Sequence, residues 1–320
     1  MQIEPPRPVD TTPLLDEPPV GPLPGQPKRI AWTRRRRSLA ASWRTFRRSK
    51  VGMTGLFILL FFIVVALITP LVTDHSQLAV TATIDNPILA PPSSQYPFGT
   101  DNFGRSVLLL TMWGSRISLL VGLAATVITM VIGAVIGIAA GYFGRSIDTM
   151  LNAFTNWFLV IPWIALAIAM AAVLGPSLFN IILVIAVTSW AATARIVRAQ
   201  TLSVRHRDYV ERARALGAGD WHLVTRHILP NVFPIIFANT ILTVALAILS
   251  ETTLSLLGLG DPTRVSWGGV LDNAFSNGAI SIGAWWWLLF PGLGITLVVL
   301  GFALSGYAID EIINPRLRRR

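Results

Sequence analysis

Cysteine is absent from this chain of 320 residues, and charged residues are scarce. Without cysteine the chain can form no disulfide framework, no cysteine-ligated zinc or iron–sulfur centre and no catalytic thiol. Asp, Glu, Lys and Arg make up 13% of the residues, against roughly 25% in typical soluble domains, whereas hydrophobic residues make up 53%. Because so few charges cannot cover a globular surface, the composition predicts an integral membrane protein.

Lysine is almost absent as well. The two lysines, Lys28 and Lys50, follow Pro27 and Ser49, whereas a phosphate-binding P-loop needs Gly-Lys-[Ser/Thr]. If the protein performs ATP-driven work, another subunit must therefore bind the ATP. The sequence also lacks G-x-S-x-G and H-E-x-x-H motifs, and its four histidines have no metal-ligand spacing. We expect no metal site, and an intramembrane enzyme would lack a nucleophile–base pair.

Long runs without charge indicate the number of spans. Residues 51–73 carry no charge and would form a helix of about 35 Å, enough to cross a hydrocarbon core of about 30 Å. Further spans are predicted at 117–144, in the two halves of 149–194 on either side of a Gly-Pro-Ser break, near 230–257 and within 283–309. The sequence therefore predicts an all-α polytopic membrane protein with six transmembrane helices.

The segments outside the spans differ in composition. Nine prolines in the first 27 residues predict a disordered tail. The basic stretch that follows has apolar residues at Leu39, Trp43 and Phe46, which favours a helix in the headgroup layer over a plain stop of positive charge before the first span. In chain order we predict six segments. They are a Pro-rich tail at residues 1–27, a basic interfacial helix at 28–50, the first span at 51–73, an extracytoplasmic loop at 74–116, a core with the other five spans at 117–310, which includes a cytoplasmic loop at 198–230, and a basic tail at 311–320.

Positive charge is distributed unevenly across the predicted membrane. An even number of spans places both termini on one side, and all but three of the 26 basic residues fall on that side. The three others are Arg105, Arg116 and Arg264. The positive-inside rule then predicts that both termini of this multi-pass protein are cytoplasmic. The net charge of +10 is explained by topology and by attraction to anionic lipid, so nucleic-acid binding is not expected.

Two residues within the predicted spans bear on a transport pathway. Glu251 either lines or gates such a pathway, or lies as an interfacial carboxylate near the external end of the fifth span. Pro291 in the sixth span allows a kink, as Pro162 does in the third, and kinked spans can line a pathway, although kinks also occur without function. An ion-coupled secondary carrier that uses Glu251 as its proton site is therefore one candidate function.

The cytoplasmic loop between the fourth and fifth spans is predicted to form two short helices. Gly217 suits the C′ position after the first helix, Asp220 suits the N-cap of the second, and Pro230 suits the first turn of the fifth span. An exposed helix of this kind could dock a partner, and a solvated surface loop is the alternative. The first helix has an apolar stripe at Tyr209, Ala213 and Leu216 and two expected ion pairs, Asp208–Arg212 and Glu211–Arg214.

The same loop resembles the EAA motif of ABC importer permeases. Glu211, Ala213 and Gly217, followed after the family's spacing by Leu229 and Pro230, match that motif. Arg212 stands where the family has its first Ala. The run His-Ile-Leu-Pro-Asn that contains Leu229 and Pro230 looks like the version found in the peptide-transporter subfamily.

Other segments strengthen this resemblance, which covers about residues 40–318. Residues 97–105 are similar to the P-[LF]-G-T-D-x-x-G-R stretch of dipeptide and oligopeptide permeases of the DppC/OppC type, although Ser106 stands where an acidic residue usually follows. Further matches are Arg116–Leu119, Ala140–Gly144 with Asp148, Ser255–Gly260 with Ser266–Gly268, and Asn314–Arg318.

The resemblance implies the fold, partners and inner (cytoplasmic) membrane location of a type I ABC importer permease for di- or oligopeptides. Such a permease pairs with a second homologous permease subunit, two ATPase subunits that bind ATP and Mg²⁺, and an extracytoplasmic substrate-binding protein. This chain would hold no cofactor and would make and break no bond. The residues expected to couple it to an ATPase are Glu211, Arg212, Ala213, Gly217, Leu229 and Pro230. Which peptide or other small solute is carried stays open.

Overall fold

The computed structural model describes residues 43–313 of the chain. Within that range the regular structure is helical, apart from a single β-bridge between Thr100 and Ser106. The prediction of an all-α protein is therefore confirmed. The Pro-rich tail lies outside the described residues. So do most of the predicted basic helix, whose described residues 43–48 are helical, and most of the basic tail after position 313.

Ten α-helices lie between Lys50 and Ile313. In chain order the helices are α1 Lys50–Val72, α2 Val107–Phe143, α3 Arg145–Val160, α4 Trp163–Leu174, α5 Leu178–Arg205, α6 Asp208–Ala215, α7 Asp220–Leu223, α8 Leu229–Leu254, α9 Trp267–Ser276 and α10 Trp286–Ile313. A π-helical turn at Val224–Ile228 joins α7 to α8 without a break, and a second one at Ser255–Leu259 follows α8.

Five of these helical segments are long and apolar enough to cross a membrane: α1, α2, α5, α10 and the continuous helix Asp220–Leu259 that contains α8. Helices α3 and α4, about 24 and 18 Å long, are each too short for a hydrocarbon core of about 30 Å. A bend of 87° joins them at Pro162, and by length and composition the pair is one broken span or a re-entrant loop. We call this pair the broken span. The six predicted spans thus correspond to five continuous helices and this bent pair.

Helix α2 begins at Val107, ten residues before the predicted start of the second span at position 117. The difference arises because Arg116 lies inside the helix. Its guanidinium is 5.1 Å from the ring centroid of Trp113, one turn earlier. A long basic side chain near a helix end can keep its charge at the membrane surface. A charge-free run therefore underestimates the length of this helix.

Helices α2 and α5 pack closely along a face of small residues. A Cβ atom added to Gly133 would lie 2.7 Å from Cβ of Thr193, and one added to Gly141 would lie 2.7 Å from Cβ of Thr201. Small residues at four-residue spacing let two helix backbones approach in this way. Helix α8 and the bent pair α3–α4 pack against these two helices.

The segment 97–105 in the α1–α2 loop is a turn organised by Asp101, whose side chain is fully buried. Its Oδ1 accepts the backbone N–H groups of Phe103 at 2.9 Å and Arg105 at 2.8 Å, and its Oδ2 accepts Nε of Arg105 at 2.7 Å. The Trp286 indole donates to the carbonyl of Thr100 at 3.1 Å, which ties the turn to α10. This turn therefore has a structural role.

Candidate functional site: a docking loop and a polar cavity

Helix α6 is anchored to the protein by one face. Val210 is fully buried and packs in a cluster with Leu223 and Ile228, while Tyr209 and Leu216 are exposed. Of the predicted apolar stripe, Tyr209 and Leu216 are therefore exposed, whereas Ala213 packs against this cluster. The buried face of the helix is the one that carries Val210 and Ala213.

Gly217 ends α6 in the predicted conformation. Its φ is +86°, its N–H donates to the carbonyl of Arg214 at 2.9 Å, and the N–H of Ala218 donates to the carbonyl of Ala213 at 3.1 Å. This pair of bonds is the Schellman arrangement, so the predicted C′ position is confirmed. No atom lies within 4 Å of a Cβ added at Gly217. The need for glycine is therefore conformational rather than steric.

Asp220 lies one residue inside the position predicted for it. The N-cap of α7 is Gly219, and Asp220 is the first residue of the helix. Its Oδ1 instead accepts the hydroxyl of Tyr142 at 2.7 Å. The guanidinium of Arg214 lies 5.9 Å from the centroid of the Tyr142 ring. The N-cap prediction is wrong because the carboxylate serves a long-range contact, which ties the loop to the end of α2.

The predicted ion pairs of α6 are not formed. Neither Asp208–Arg212 nor Glu211–Arg214 lies within 4.0 Å, unlike the pairs Arg105–Asp101 and Arg198–Asp148. Glu211 and Arg212 are exposed. The loop also exposes two large apolar side chains, Leu216 at 88% and Trp221 at 79%. The loop therefore exposes charged and apolar side chains together, while the buried Val210 holds its first helix in place. We call residues 206–221 the docking loop.

The remaining predicted docking residues lie in different positions. Ala213 is half-buried on the inner face of α6. Leu229 is the first residue of α8 and Pro230 the second, so the first-turn placement of Pro230 is confirmed. Both follow the π-helical turn Val224–Ile228, which makes the docking loop continuous with a transmembrane helix.

Glu251 is enclosed within the subunit. It is 1% exposed, its Oε2 accepts the hydroxyl of Ser118 at 3.0 Å, and its Oε1 accepts that of Ser255 at 2.9 Å. Ser118 also accepts the backbone N–H of Trp267 at 3.2 Å, so the carboxylate lies in a network that joins α2, α8 and α9. Glu251 does not line the cavity described below, and its side chain is enclosed rather than solvent-facing. That it lines or gates a pathway stays a prediction.

Pro291 is also buried, within α10, and it is absent from the lining of that cavity. That it lines a pathway stays a prediction. Pro162 behaves differently, because it is the N-cap of α4 at the 87° bend and lines the cavity.

A half-open cavity of ≈ 760 Å³ lies between the bend of the broken span, α5 and α8. Its lining residues, all within the described chain, include no charged side chain. The lining combines apolar side chains, such as those of Trp163 and Leu246, with side chains that carry hydroxyl or amide groups. The polar members are Thr129, Thr188, Ser189, Thr193, Asn239, Thr243, Ser250 and Thr253.

Comparison with known protein families assigns the chain to a family of transport proteins. Residues 133–319 match the family described as binding-protein-dependent transport system inner membrane component, and residues 39–92 match the N-terminal transmembrane domain of oligopeptide transport permease C. The chain belongs to the first of these families. It is therefore a membrane-spanning permease, as the docking-loop motif indicated.

Individual relatives agree with this family. The permease is 37% identical to the dipeptide transport system permease DppC of Bacillus subtilis over 279 residues, which are 87% of this chain and 86% of the relative. It is 34% identical to the oligopeptide transport system permease OppC of the same organism, over 86% of this chain and 88% of the relative. Among solved structures, a chain of the methionine ABC transporter MetNI in inward-facing form has a TM-score of 0.53 at 20% identity, covering 67% of this chain and 98% of that one. This last likeness concerns the fold, which is that of an ABC importer permease.

The sequence did carry a signal for the cavity that our prediction missed. Asn239, Thr243, Ser250 and Thr253 recur at spacings of three, four and seven residues, which places them on one face of α8. Such a polar stripe in an otherwise apolar span indicates a surface that faces protein or water rather than lipid. Our prediction considered only ionisable groups within the spans, and it therefore selected Glu251 instead of this polar face.

Proposed function

We propose that this permease is the membrane-spanning subunit of an ATP-driven importer of di- or oligopeptides. Its two similar relatives from Bacillus subtilis are named for dipeptide and oligopeptide transport. The structural observation that carries the proposal is the docking loop, which exposes Glu211 on the anchored helix α6 and Leu216 and Trp221 after that helix. A surface of this composition fits a groove on a partner protein.

In this proposal the partners are those of a type I importer. Two ATPase subunits bind ATP and Mg²⁺ and seat the docking loop, a second homologous permease completes the membrane part, and a substrate-binding protein delivers peptide on the extracytoplasmic side. Both termini and the docking loop then lie in the cytoplasm, which agrees with the distribution of basic residues. The chain itself performs no catalysis.

The connection of the docking loop to the spans gives a mechanism for coupling. When the ATPases close, they would displace α6 and α7. Helix α7 continues through the π-helical turn into α8, which forms one wall of the cavity. The bond between Tyr142 and Asp220 ties the same loop to α2. Movement of the loop would therefore shift two helices together and alternate the access of the cavity.

Reconstituted transport tests the proposal against the ion-coupled carrier. The permease, its second permease and the ATPases are placed in proteoliposomes with the binding protein and a labelled dipeptide. We expect uptake that requires ATP and persists when the proton gradient is collapsed. Uptake driven by a proton gradient in the absence of ATP would instead support the carrier. The family match gives that alternative no support, and neither does the enclosed position of Glu251.

A further inference from the structure

The cavity between the broken span, α5 and α8 contains polar groups whose hydrogen-bonding capacity is not used within the chain. Thr129 is 1% exposed and lines the cavity, yet its hydroxyl has no hydrogen-bond partner within the described chain. Asn239 uses one side of its amide, through Nδ2, to donate to the Thr193 hydroxyl at 3.3 Å. A buried hydroxyl without a partner costs free energy unless something binds it.

The α8 wall of the cavity offers hydrogen-bond acceptors. The hydroxyls of Thr243, Ser250 and Thr253 each donate to the carbonyl four residues earlier, at 2.8 to 2.9 Å. A hydroxyl that donates in this way keeps oxygen lone pairs free. These three oxygens can therefore accept N–H groups from a molecule in the cavity.

The broken span contributes both hydrogen-bond donors and hydrogen-bond acceptors from its backbone. The last carbonyls of α3 and the first N–H groups of α4 have no partner in their own helices, and no side chain caps the start of α4. Residues 158–163, which contain both helix ends, line the cavity. The end of α3 carries a partial negative charge and the start of α4 a partial positive charge. Broken helices present their ends to substrates in this manner in other transporters.

From these observations we propose that the cavity is a binding site for the main chain of a peptide. The hydroxyls and backbone groups are complementary to the alternating N–H and C=O groups of a peptide. The two helix ends are complementary to its ammonium and carboxylate. A volume of ≈ 760 Å³ is within the range of small-molecule sites, about 300–1,000 Å³. Because no lining side chain is charged, the site does not select among peptide side chains by charge.

This site deepens the proposed function and rests on it. A lipid chain or a helix of the second permease could also cover an open groove. A lipid chain would leave the eight polar lining side chains without partners. A helix pairs its own main-chain N–H and C=O groups, so it would leave the backbone groups at the bend unused. Lipid tails form no hydrogen bonds, so they would leave the Thr129 hydroxyl unpaired.

Photolabelling of the assembled importer in lipid nanodiscs tests the site. The probe is the tripeptide alanyl-p-benzoylphenylalanyl-alanine, and labelled residues are mapped by mass spectrometry. We expect labels within residues 158–163 and 239–253. Trialanine should protect these residues at a concentration roughly 5- to 30-fold lower than trialanine with N-methylated peptide bonds, because methylation removes main-chain donors. Tripeptides with Glu or Lys in the centre should protect about as well as trialanine.

Thr129→Val removes the unpaired hydroxyl at nearly constant volume, and we expect it to weaken labelling roughly 2- to 10-fold. The matched control is Thr126→Val. Thr126 lies one turn earlier, is equally buried and also lacks a partner, but it does not line the cavity. Ser250→Ala gives a second measurement if the Thr129 variant fails to assemble.

Several results would overturn the inference. These are labels confined to lipid or to the second permease, equal protection by the N-methylated peptide, or equal labelling of the Thr129 and Thr126 variants. Uptake of the same tripeptide by the wild-type importer is measured in parallel. If uptake occurs without labels in the cavity, this site is rejected while the proposed function stands. Absence of any ATP-dependent peptide uptake would reject the proposed function itself.

Discussion

The hydroxyl of Tyr142 donates a hydrogen bond to Oδ1 of Asp220 across 2.7 Å, although the two residues are 78 positions apart. The bond joins the last turn of α2 to the first residue of α7. It is a direct polar link between the docking loop and α2.

Tyr142→Phe should uncouple ATP hydrolysis from uptake. The ring and its contact with Arg214 are retained, and only the bond to Asp220 is lost, so the folded permease should lose no more than about 1.5 kcal/mol. We expect the ratio of peptide transported to ATP hydrolysed to fall several-fold. Tyr209→Phe is the control, because Tyr209 is an exposed tyrosine of α6. Equal ratios in the two variants would show that the bond does not transmit movement.

Gly217→Val should prevent the docking loop from seating on an ATPase. Valine is strained at the φ of +86° observed there, whereas membrane insertion should be unaffected, because the loop lies outside the spans. Co-purification of the ATPases and uptake should both fall, and Glu211→Ala should produce a milder loss.

A matched control for this strain is Gly278→Val. Gly278 also has a positive φ, of +64°, with no atom within 4 Å of an added Cβ, but it follows α9. ATPase co-purification should stay normal in this variant. If both valine variants lose the ATPases equally, the loss reflects general strain and the docking assignment fails.

Glu251 should matter for folding rather than for transport. Glu251→Leu leaves the hydroxyls of Ser118 and Ser255 without their acceptor, so the free energy of unfolding should fall by about 1–3 kcal/mol. Glu251→Gln retains one acceptor oxygen and should be less damaging. Thermal denaturation of the purified variants and uptake per assembled complex are the measurements. A Gln variant with normal stability and assembly but no uptake would restore a role in the pathway.

The absence of cysteine makes the topology easy to test. Single cysteines at Ser94 and Leu216, both exposed, can be probed without a native background. We expect Ser94→Cys to react with a membrane-impermeant thiol reagent in intact cells, and Leu216→Cys to react only after the membrane is opened. Asp101 is unsuitable for this purpose, because its side chain is fully buried. The reverse labelling pattern would invert the proposed orientation.

Acidification should loosen the contact between the α8–α9 loop and the start of α5. Burial tends to raise the pKa of Asp261, but bonds from Thr263 and from the Leu178 N–H outweigh it and hold that pKa below its ordinary value. The stabilisation is therefore present above the pKa of the unfolded chain and is lost as the pH falls through the lower, folded pKa. Wild-type stability minus that of Asp261→Asn should shrink with acidification in that window. A constant difference would contradict this assignment.

Local features of the fold could be predicted from the sequence, and long-range ones could not. Gly217 was placed correctly because a helix end depends on its own few residues. Pro162 likewise marked the break in the third span, although its 87° bend depends on the packing around it. The enclosure of Glu251 depends on Ser118, which is 133 positions away, and no short-range pattern records that pairing. Asp220 was misplaced for the same reason, since Tyr142 competes for its carboxylate.

The exposed side chains of Leu216 and Trp221 also bear on how the subunit is made and maintained. An apolar pair on a water-facing loop is a liability until a partner covers it. A permease synthesised in excess of its ATPases would keep that surface open to chaperones and proteases. The cellular amount of this chain should therefore follow that of its partners, with unassembled copies removed even though their membrane helices are correctly inserted.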